Sequence, residues 1–279
     1  KGYRMNSNSP RKFSLSPEKR RLTGAEKNQY EHDGYLKNLP VFSDKGVSEL
    51  QSLFEELASR LPDNIDINQV NMWHKASIKF NELCRNSTIL DYVEDLLGPN
   101  FYQWGGQFFT KYPNDGSVVP WHQDAQYWPL SPQRTVTVWL AVFDSDAGNG
   151  AMQIVKGSHK KSIVSHHTNN APHLALTQEA DADTIDHDEI VTINLKAGEI
   201  SLHDDGTLHG SGANISDRIR SGITMRFCPT NTKCDLDVWP TFEAYLARGI
   251  DTYNLNPTGP RPTSEMFPVR KFQHSSDFL

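Results

Sequence analysis

Apolar residues in the first third of the chain recur at helical spacing. Val47, Leu50, Leu53, Phe54, Leu57 and Leu61 predict an amphipathic helix over 47–61 that Pro62 stops. A second helix is predicted over 88–97. Ser87 is its expected cap, Ile89, Tyr92, Val93, Leu96 and Leu97 share a face, and Gly98-Pro99 ends it. A third is predicted over 241–248, between Thr241 as cap and Gly249. Between positions 100 and 230 the period changes to two. Residues 102–112, 135–143, 151–155, 190–195, 199–203 and 221–228 are short runs rich in Val, Ile, Thr and aromatics, punctuated by Gly, Pro, Asn and Asp. Short strands without long helices between them predict an antiparallel sandwich or barrel, not βαβ units. Residues 163–189, with His166, His167 and a run of acids, read as a long surface loop that could serve as a lid.

Composition narrows the class. The 279 residues are 37% hydrophobic and 10% aromatic, enough for a core, which excludes global disorder. A formal charge of −6 is the wrong sign for a surface built to coat phosphates, so no nucleic-acid partner is expected. No apolar run approaches the ~18 residues of a membrane span. Cys84, Cys228 and Cys234 form neither a CxxC pair nor an even-numbered disulfide framework, which suits a cytoplasmic protein. Residues 1–25 read as a flexible basic tail, with Lys1–Arg4 an addition ahead of Met5, and 26–279 as a single domain of helices around one β core. The sequence leaves the oligomeric state open.

The chemistry concentrates in Pro120-Trp121-His122-Gln123-Asp124-Ala125-Gln126-Tyr127-Trp128. On an extended backbone, residues i and i+2 point the same way, so His122 and Asp124 can grip one ion. With a second histidine they make the facial triad that leaves positions open on Fe(II). Among eleven histidines, His203-Asp204-Asp205 and His187-Asp188-Glu189 also match by spacing. His187 lies in the acidic loop and His203 precedes an Asp-Asp-Gly turn, whereas His122 has Trp121, Tyr127 and Trp128 to exclude water. The second histidine has to come from a distant strand, and His203 and His209 both qualify. His209 is followed by Gly-Ser-Gly and, eleven residues on, by Arg220 at the head of a strand. A guanidinium fork matches a carboxylate in two contacts, although Arg220 taken alone reads as a surface ion pair.

His122-Gln-Asp124, Trp139, Asn149-Gly-Ala-Met152, Gly157-Ser-His159, His209-Gly-Ser211 and Arg220, in that order over roughly residues 30–230, resemble the phytanoyl-CoA dioxygenase-like Fe(II)/2-oxoglutarate oxygenases. The resemblance implies a mainly β fold with flanking helices, a double-stranded β-helix (jelly roll, cupin-like). It implies His122, Asp124 and His209 on the iron as ligands and catalytic groups, with O2 as oxidant. It also implies Arg220 and Ser211 on the distal carboxylate of 2-oxoglutarate, with Gln107 and Trp139 lining that pocket. Lys156 departs from the usual Pro-Gly-Ser-His turn. Asp124 stands where halogenating relatives carry Gly or Ala, which favours hydroxylation.

Strand parity adds neighbours. Thr137 shares a face with Trp139, and Thr224 and Arg226 share one with Arg220. A buried Arg226 needs an anion, either on the substrate or from a structural Asp. Tyr127 and Trp128 could stack on a cationic head group or simply pack. The resemblance places Asn71, His74 and Lys75 at the pocket mouth. It is strongest to bacterial members acting on small metabolites, and so points to hydroxylation of a 2-aminoethylphosphonate-type organophosphonate next to phosphorus. The alternatives are another small molecule or an acyl-CoA, a non-catalytic binding module, or a zinc hydrolase, since spacing does not separate Fe(II) from Zn(II).

Overall fold

The structure, a computed structural model, describes residues 13–18 and 21–266. In chain order its elements are α1 (Gly24–Asp33), β1 (Tyr35–Pro40), α2 (Asp44–Ser59), α3 (Ile78–Cys84), α4 (Ser87–Leu97), β2 (Phe101–Lys111), β3 (Val119–His122), β4 (Leu130–Ser131), β5 (Val136–Ala141), β6 (Gln153–Val155), β7 (His166–Thr168), β8 (Gln178–Ala180), β9 (Ile190–Thr192), β10 (Glu199–Asp204), β11 (His209–Ser211), β12 (Arg220–Pro229), β13 (Lys233–Cys234) and β14 (Tyr245–Arg248). A six-stranded antiparallel sheet, β1-β10-β5-β12-β2-β14, faces a four-stranded one, β3-β11-β6-β9. This is the jelly roll that the resemblance implied.

Period two decides what each face does. On β5 and β12, Val136, Val138, Leu140, Ile223, Met225 and Phe227 point to the helices. There they join Leu50, Leu53, Phe54 and Leu57 of α2 and Ile89, Tyr92 and Val93 of α4 in the main core. Each such side chain contributes about 1.5–3 kcal/mol by leaving water. The opposite parity faces the smaller sheet, where Trp139 and Ala141 pack with Met152 and Ile154. Register fixes this inner face residue by residue. Arg220 sits opposite Lys111, Gly222 opposite Phe109 and Ala141, Thr224 opposite Gln107 and Trp139, and Arg226 opposite Gly105 and Thr137. All of β5 and β12 is buried, so these polar groups are enclosed.

Several expectations shift. α2 starts at Asp44 and ends at Ser59, because Ser43 accepts a hydrogen bond from Gly46 N and is its cap. α4 is capped by Asn86, not Ser87; its Oδ1 takes the Thr88 and Ile89 N–H groups. The helix expected over 241–248 is a strand instead. β14 pairs with the free edge of β2, and that edge outweighs a weak local helical pattern. Packing also starts earlier than position 26: Phe13 and Leu22 are buried, and Leu15 bridges to Phe42. Residues 1–12, 19–20 and 267–279 lie outside the described residues. The 163–189 loop carries the β7–β8 hairpin. Among the described residues, no helix is long and apolar enough to cross a membrane.

Gly222 is the tightest point of the inner face, since a Cβ there would lie 2.1 Å from the Trp139 indole. Gly222→Ala is therefore expected to destabilise the protein by about 1–3 kcal/mol through overpacking, read by denaturant unfolding. Wild-type stability would mean that the indole is free to move.

Candidate metal centre

β3 and β11 pair so that His122 and His209 stand directly opposite one another. Their ring centroids are 4.2 Å apart. Each ring has its Nδ1 against a backbone carbonyl, His122 with Pro120 O at 2.8 Å and His209 with Thr207 O at 2.9 Å. A carbonyl accepts only, so Nδ1 carries the proton and the Nε2 lone pairs are free. Asp124 follows on the 3-10 turn after β3, with Oδ1 3.5 Å from His122 Nε2 and 3.8 Å from His209 Nε2. Ligand atoms of all three residues lie within 4.8 Å of one another.

The ligand segment is clamped on both sides. The buried Gln123 side chain donates to Gly206 O and accepts from Val164 N, each at 2.8 Å. Ala125 N donates to Asp205 O at 2.8 Å. Burial by itself would raise the Asp124 carboxyl, but His209, His122 and His203 around it hold it well below the ordinary carboxylate range. Burial, with His122 close by, pushes His209 well below its usual value and keeps it neutral. Two neutral imidazoles and a carboxylate are the donor set a divalent iron requires, so the residues fit the metal.

Arg220 lies on the inner face beyond this group. Its Nε donates to Gly150 O at 3.1 Å, and its two terminal nitrogens to Phe109 O and Ser211 Oγ at 3.3 Å. All three acceptors are neutral, so among the described residues the buried cation has no ion pair. It also stands over the Trp139 ring at 5.4 Å. Burial lowers its pKa to about 10. Lys111 opposite is buried too, donating to the Ser117, Ser211 and Gly212 carbonyls, and burial beside Arg220 lowers it to about 7. Two buried cations side by side, with only neutral acceptors among the described residues, make this corner attractive to an anion.

A third cation, Arg226, lies six residues along β12, roughly 20 Å away by strand rise. Among the described residues, only Gln107 Oε1, at 3.2 Å, accepts from it, and its Nε has no partner. The guanidinium sits over the rings of Trp104 and Trp128 at 5.6 and 5.2 Å. A cavity of about 280 Å³ runs between Lys111, Arg220, Gln107 and Arg226.

The structure gathers His122, Asp124, Thr137, Trp139, His209, Ser211, Arg220 and Arg226 around one cavity. Gln107 belongs to its extension, beside Arg226. Asn71, His74 and Lys75 do not line it. Asn71 Oδ1 accepts from Met72 N, His74 is buried against Tyr245, and Lys75 forms an ion pair with Glu243 at 2.8 Å. Tyr127 donates its hydroxyl to Gln178 O, and Trp128 packs edge-on against Trp104. Sequence reasoning missed Phe109, Lys111 and Leu176 as lining residues, and His203, weighed there as a rival ligand, lines the cavity beside His209. The parity of β2 points to the first two, because 107, 109 and 111 share a face.

Fold and site together define a jelly-roll oxygenase with a two-histidine, one-carboxylate metal centre. The family model described as phytanoyl-CoA dioxygenase matches residues 30–222, and the chain belongs to this family. It is an Fe(II)- and 2-oxoglutarate-dependent dioxygenase using O2. Similar proteins include an ectoine dioxygenase of Streptomyces avermitilis, 28% identical over 74% of this chain and 78% of that protein. The peroxisomal phytanoyl-CoA dioxygenase of Mus musculus is 23% identical over 86% of this chain and 78% of its own. Among solved structures, the non-heme monooxygenase ThoJ superposes with a TM-score of 0.71 at 24% identity, covering 86% of this chain and 89% of that one.

Asp205 ties the ligand turn to β5: besides holding Ala125, its Oδ2 accepts from Thr135 N at 2.9 Å. Burial, with Asp204 adding repulsion, pushes its carboxyl up to about 7. The unfolded group titrates near 3.8, so between these values the folded protein binds more protons and stability falls as pH rises. Asp205→Asn keeps an acceptor for Thr135. It should gain stability relative to wild type between pH 4 and 8, measured by denaturant unfolding at several pH values. A gap independent of pH would contradict the assignment.

Proposed function

We propose that the chain hydroxylates a C–H bond of a small anionic metabolite, best matched by a 2-aminoethylphosphonate-type organophosphonate attacked next to phosphorus. The observation that carries this reading is Arg226: a buried guanidinium whose Nε has no partner among the described residues, held over two indoles at the edge of the metal cavity. Burial lowers its pKa and Asp124 opposes that shift, so the nearest compensating charge already belongs to the proposed metal site. A phosphonate oxygen at Nε and at a terminal nitrogen would complete it. A cavity of about 280 Å³ suits a small molecule better than an acyl thioester. In support, a relative in Stutzerimonas stutzeri, 28% identical over 57% of this chain and 54% of its own length, is described as a probable alpha-ketoglutarate-dependent hypophosphite dioxygenase.

His122, Asp124 and His209 would hold the metal through Nε2, Oδ1 and Nε2. Iron bound there, with O2 and 2-oxoglutarate, supplies the oxidising power that turns C–H into C–OH as the co-substrate leaves as succinate and CO2. Arg220, steadied by Ser211 Oγ and the Gly150 carbonyl, would take the distal carboxylate. Thr137, Trp139 and Gln107 would shape the co-substrate side, and Trp139 also shields Arg220 from water. Arg226, oriented by Gln107, would fix the substrate's anionic end, with Trp128 and Tyr127 walling that side. Asp124 keeps a carboxylate on the metal, which favours hydroxylation over halide transfer. We take the enzyme to work in the cytoplasm, since Cys84, Cys228 and Cys234 are free and buried.

A succinate-release screen over phosphonates, betaines, amino acids and acyl thioesters tests the substrate. Stimulation by phosphonates with Fe(II) and none with Zn(II) is the expected result; a preference for betaines or thioesters would refute it. In the same assay Arg220→Ala should raise the 2-oxoglutarate KM. Arg226→Ala should raise the substrate KM about tenfold or more, as loss of a charge-assisted bond does, and leave the co-substrate KM unchanged. Equal loss of both would make Arg226 structural.

A further inference from the structure

Three histidines surround Asp124, and only two belong to the proposed ligand set. The third, His203, lies on β10 directly opposite Thr137 of β5. It is 1% exposed, and neither ring nitrogen has a hydrogen-bond partner among the described residues. Burying an imidazole without partners is costly, and its Nε2 lies beside atoms of the proposed ligand set. Its Nε2 is 3.6 Å from Asp124 Oδ2, and its ring centroid is 4.6 Å from that of His209.

The two oxygens of Asp124 therefore face different company. Oδ1 faces the free Nε2 atoms of His122 and His209. Oδ2 has Thr137 Oγ1 at 3.4 Å and His203 Nε2 at 3.6 Å. A formed N–H···O bond would be about 2.7–3.2 Å, so only a small turn of the carboxylate separates the present geometry from a hydrogen bond.

We propose that His203 is a positioning residue for the metal carboxylate: its Nε2–H donates to Asp124 Oδ2 while Oδ1 holds the ion. The donor occupies the second oxygen and keeps it off the metal, so Asp124 binds through one atom. That leaves the remaining metal positions for 2-oxoglutarate and O2. Thr137 supplies the second, weaker restraint on the same oxygen. Hydrogen-bonded partners of ligating carboxylates act in this way at metal sites, and their loss typically costs 10–100-fold in metal affinity. The inference rests on the ligand set proposed above, and the test separates the two.

The experiment titrates the full-length, metal-free protein with Co(II) under anaerobic conditions, following the visible absorption of the bound ion. His203→Gln places an amide N–H where Nε2 was, His203→Leu removes the donor, and His122→Ala serves as the reference for a lost ligand. His203→Leu should bind Co(II) about 10–100-fold more weakly and with altered absorption bands, because the freed carboxylate can swing to two-oxygen binding. His203→Gln should recover most of the affinity and the wild-type spectrum. Wild-type affinity and spectrum in His203→Leu would overturn the proposal, as would His203→Gln no better than His203→Leu. Loss in His203→Leu as severe as in His122→Ala would also overturn it, by making His203 a ligand. Should His203→Leu fail to fold, as judged by thermal unfolding of the metal-free protein, His203→Asn replaces it, its amide being too short to reach Oδ2. Undiminished Co(II) binding by His122→Ala would instead refute the ligand set.

Discussion

The antiparallel pairing of β3 with β11 sets His122 opposite His209, and the rest of the site depends on that register. Sheet side chains alternate, so a slip of one residue would turn either imidazole out of the cavity and bring Trp121 or Leu208 in. Both rings are then locked by their own backbones through Nδ1, two residues back in each case. Asp124 is held by groups that grip its neighbours Gln123 and Ala125. The chain has thus built the donor set in its folded backbone, before any ion is considered, and an ion arriving there finds little left to organise.

That preorganisation is set against an unfavourable charge balance. Arg220, Lys111 and Arg226 are all buried on one sheet face, and burial lowers the pKa of each. Buried cations with only neutral partners destabilise a fold. The opposite face of the same strands offsets this, since Val138, Leu140, Ile223, Met225 and Phe227 pack with α2 and α4 in the main core. One side of β5 and β12 holds the protein together while the other side carries the buried cations Arg220 and Arg226. The two indoles over Arg226 have the same logic, since an aromatic face partly substitutes for the hydration that burial removes.

Much of this was legible in the sequence because it follows from parity on long strands. The runs around β5 and β12 are period two, and parity alone puts Thr137, Trp139, Thr224 and Arg226 on the inner face. Choosing His209 over His203 needed the family resemblance, since both flank the same turn; the structure sets them 4.6 Å apart with different neighbours. What could not be read depends on partners far away in sequence. Lys111 matters because Arg220 is opposite it, and His203 because β10 lies beside β5. Lys75 is taken up by Glu243, which a local reading of its segment could not foresee. Residues 245–248 become a strand only because β2 offers a free edge. At α4 both Asn86 and Ser87 are competent caps, and the backbone trajectory chose the first.

On this reading one ion is held by His122, Asp124 and His209, with an oxo-diacid between it and Arg220. Crystals grown without oxygen in Mn(II) and 2-oxoglutarate, with anomalous diffraction used to locate the metal, test it most directly. A single anomalous peak bonded to His122 Nε2, Asp124 Oδ1 and His209 Nε2 is expected, with the far carboxylate of 2-oxoglutarate on Arg220 and Ser211. A peak elsewhere, or the co-substrate's far carboxylate on Arg226, would contradict it.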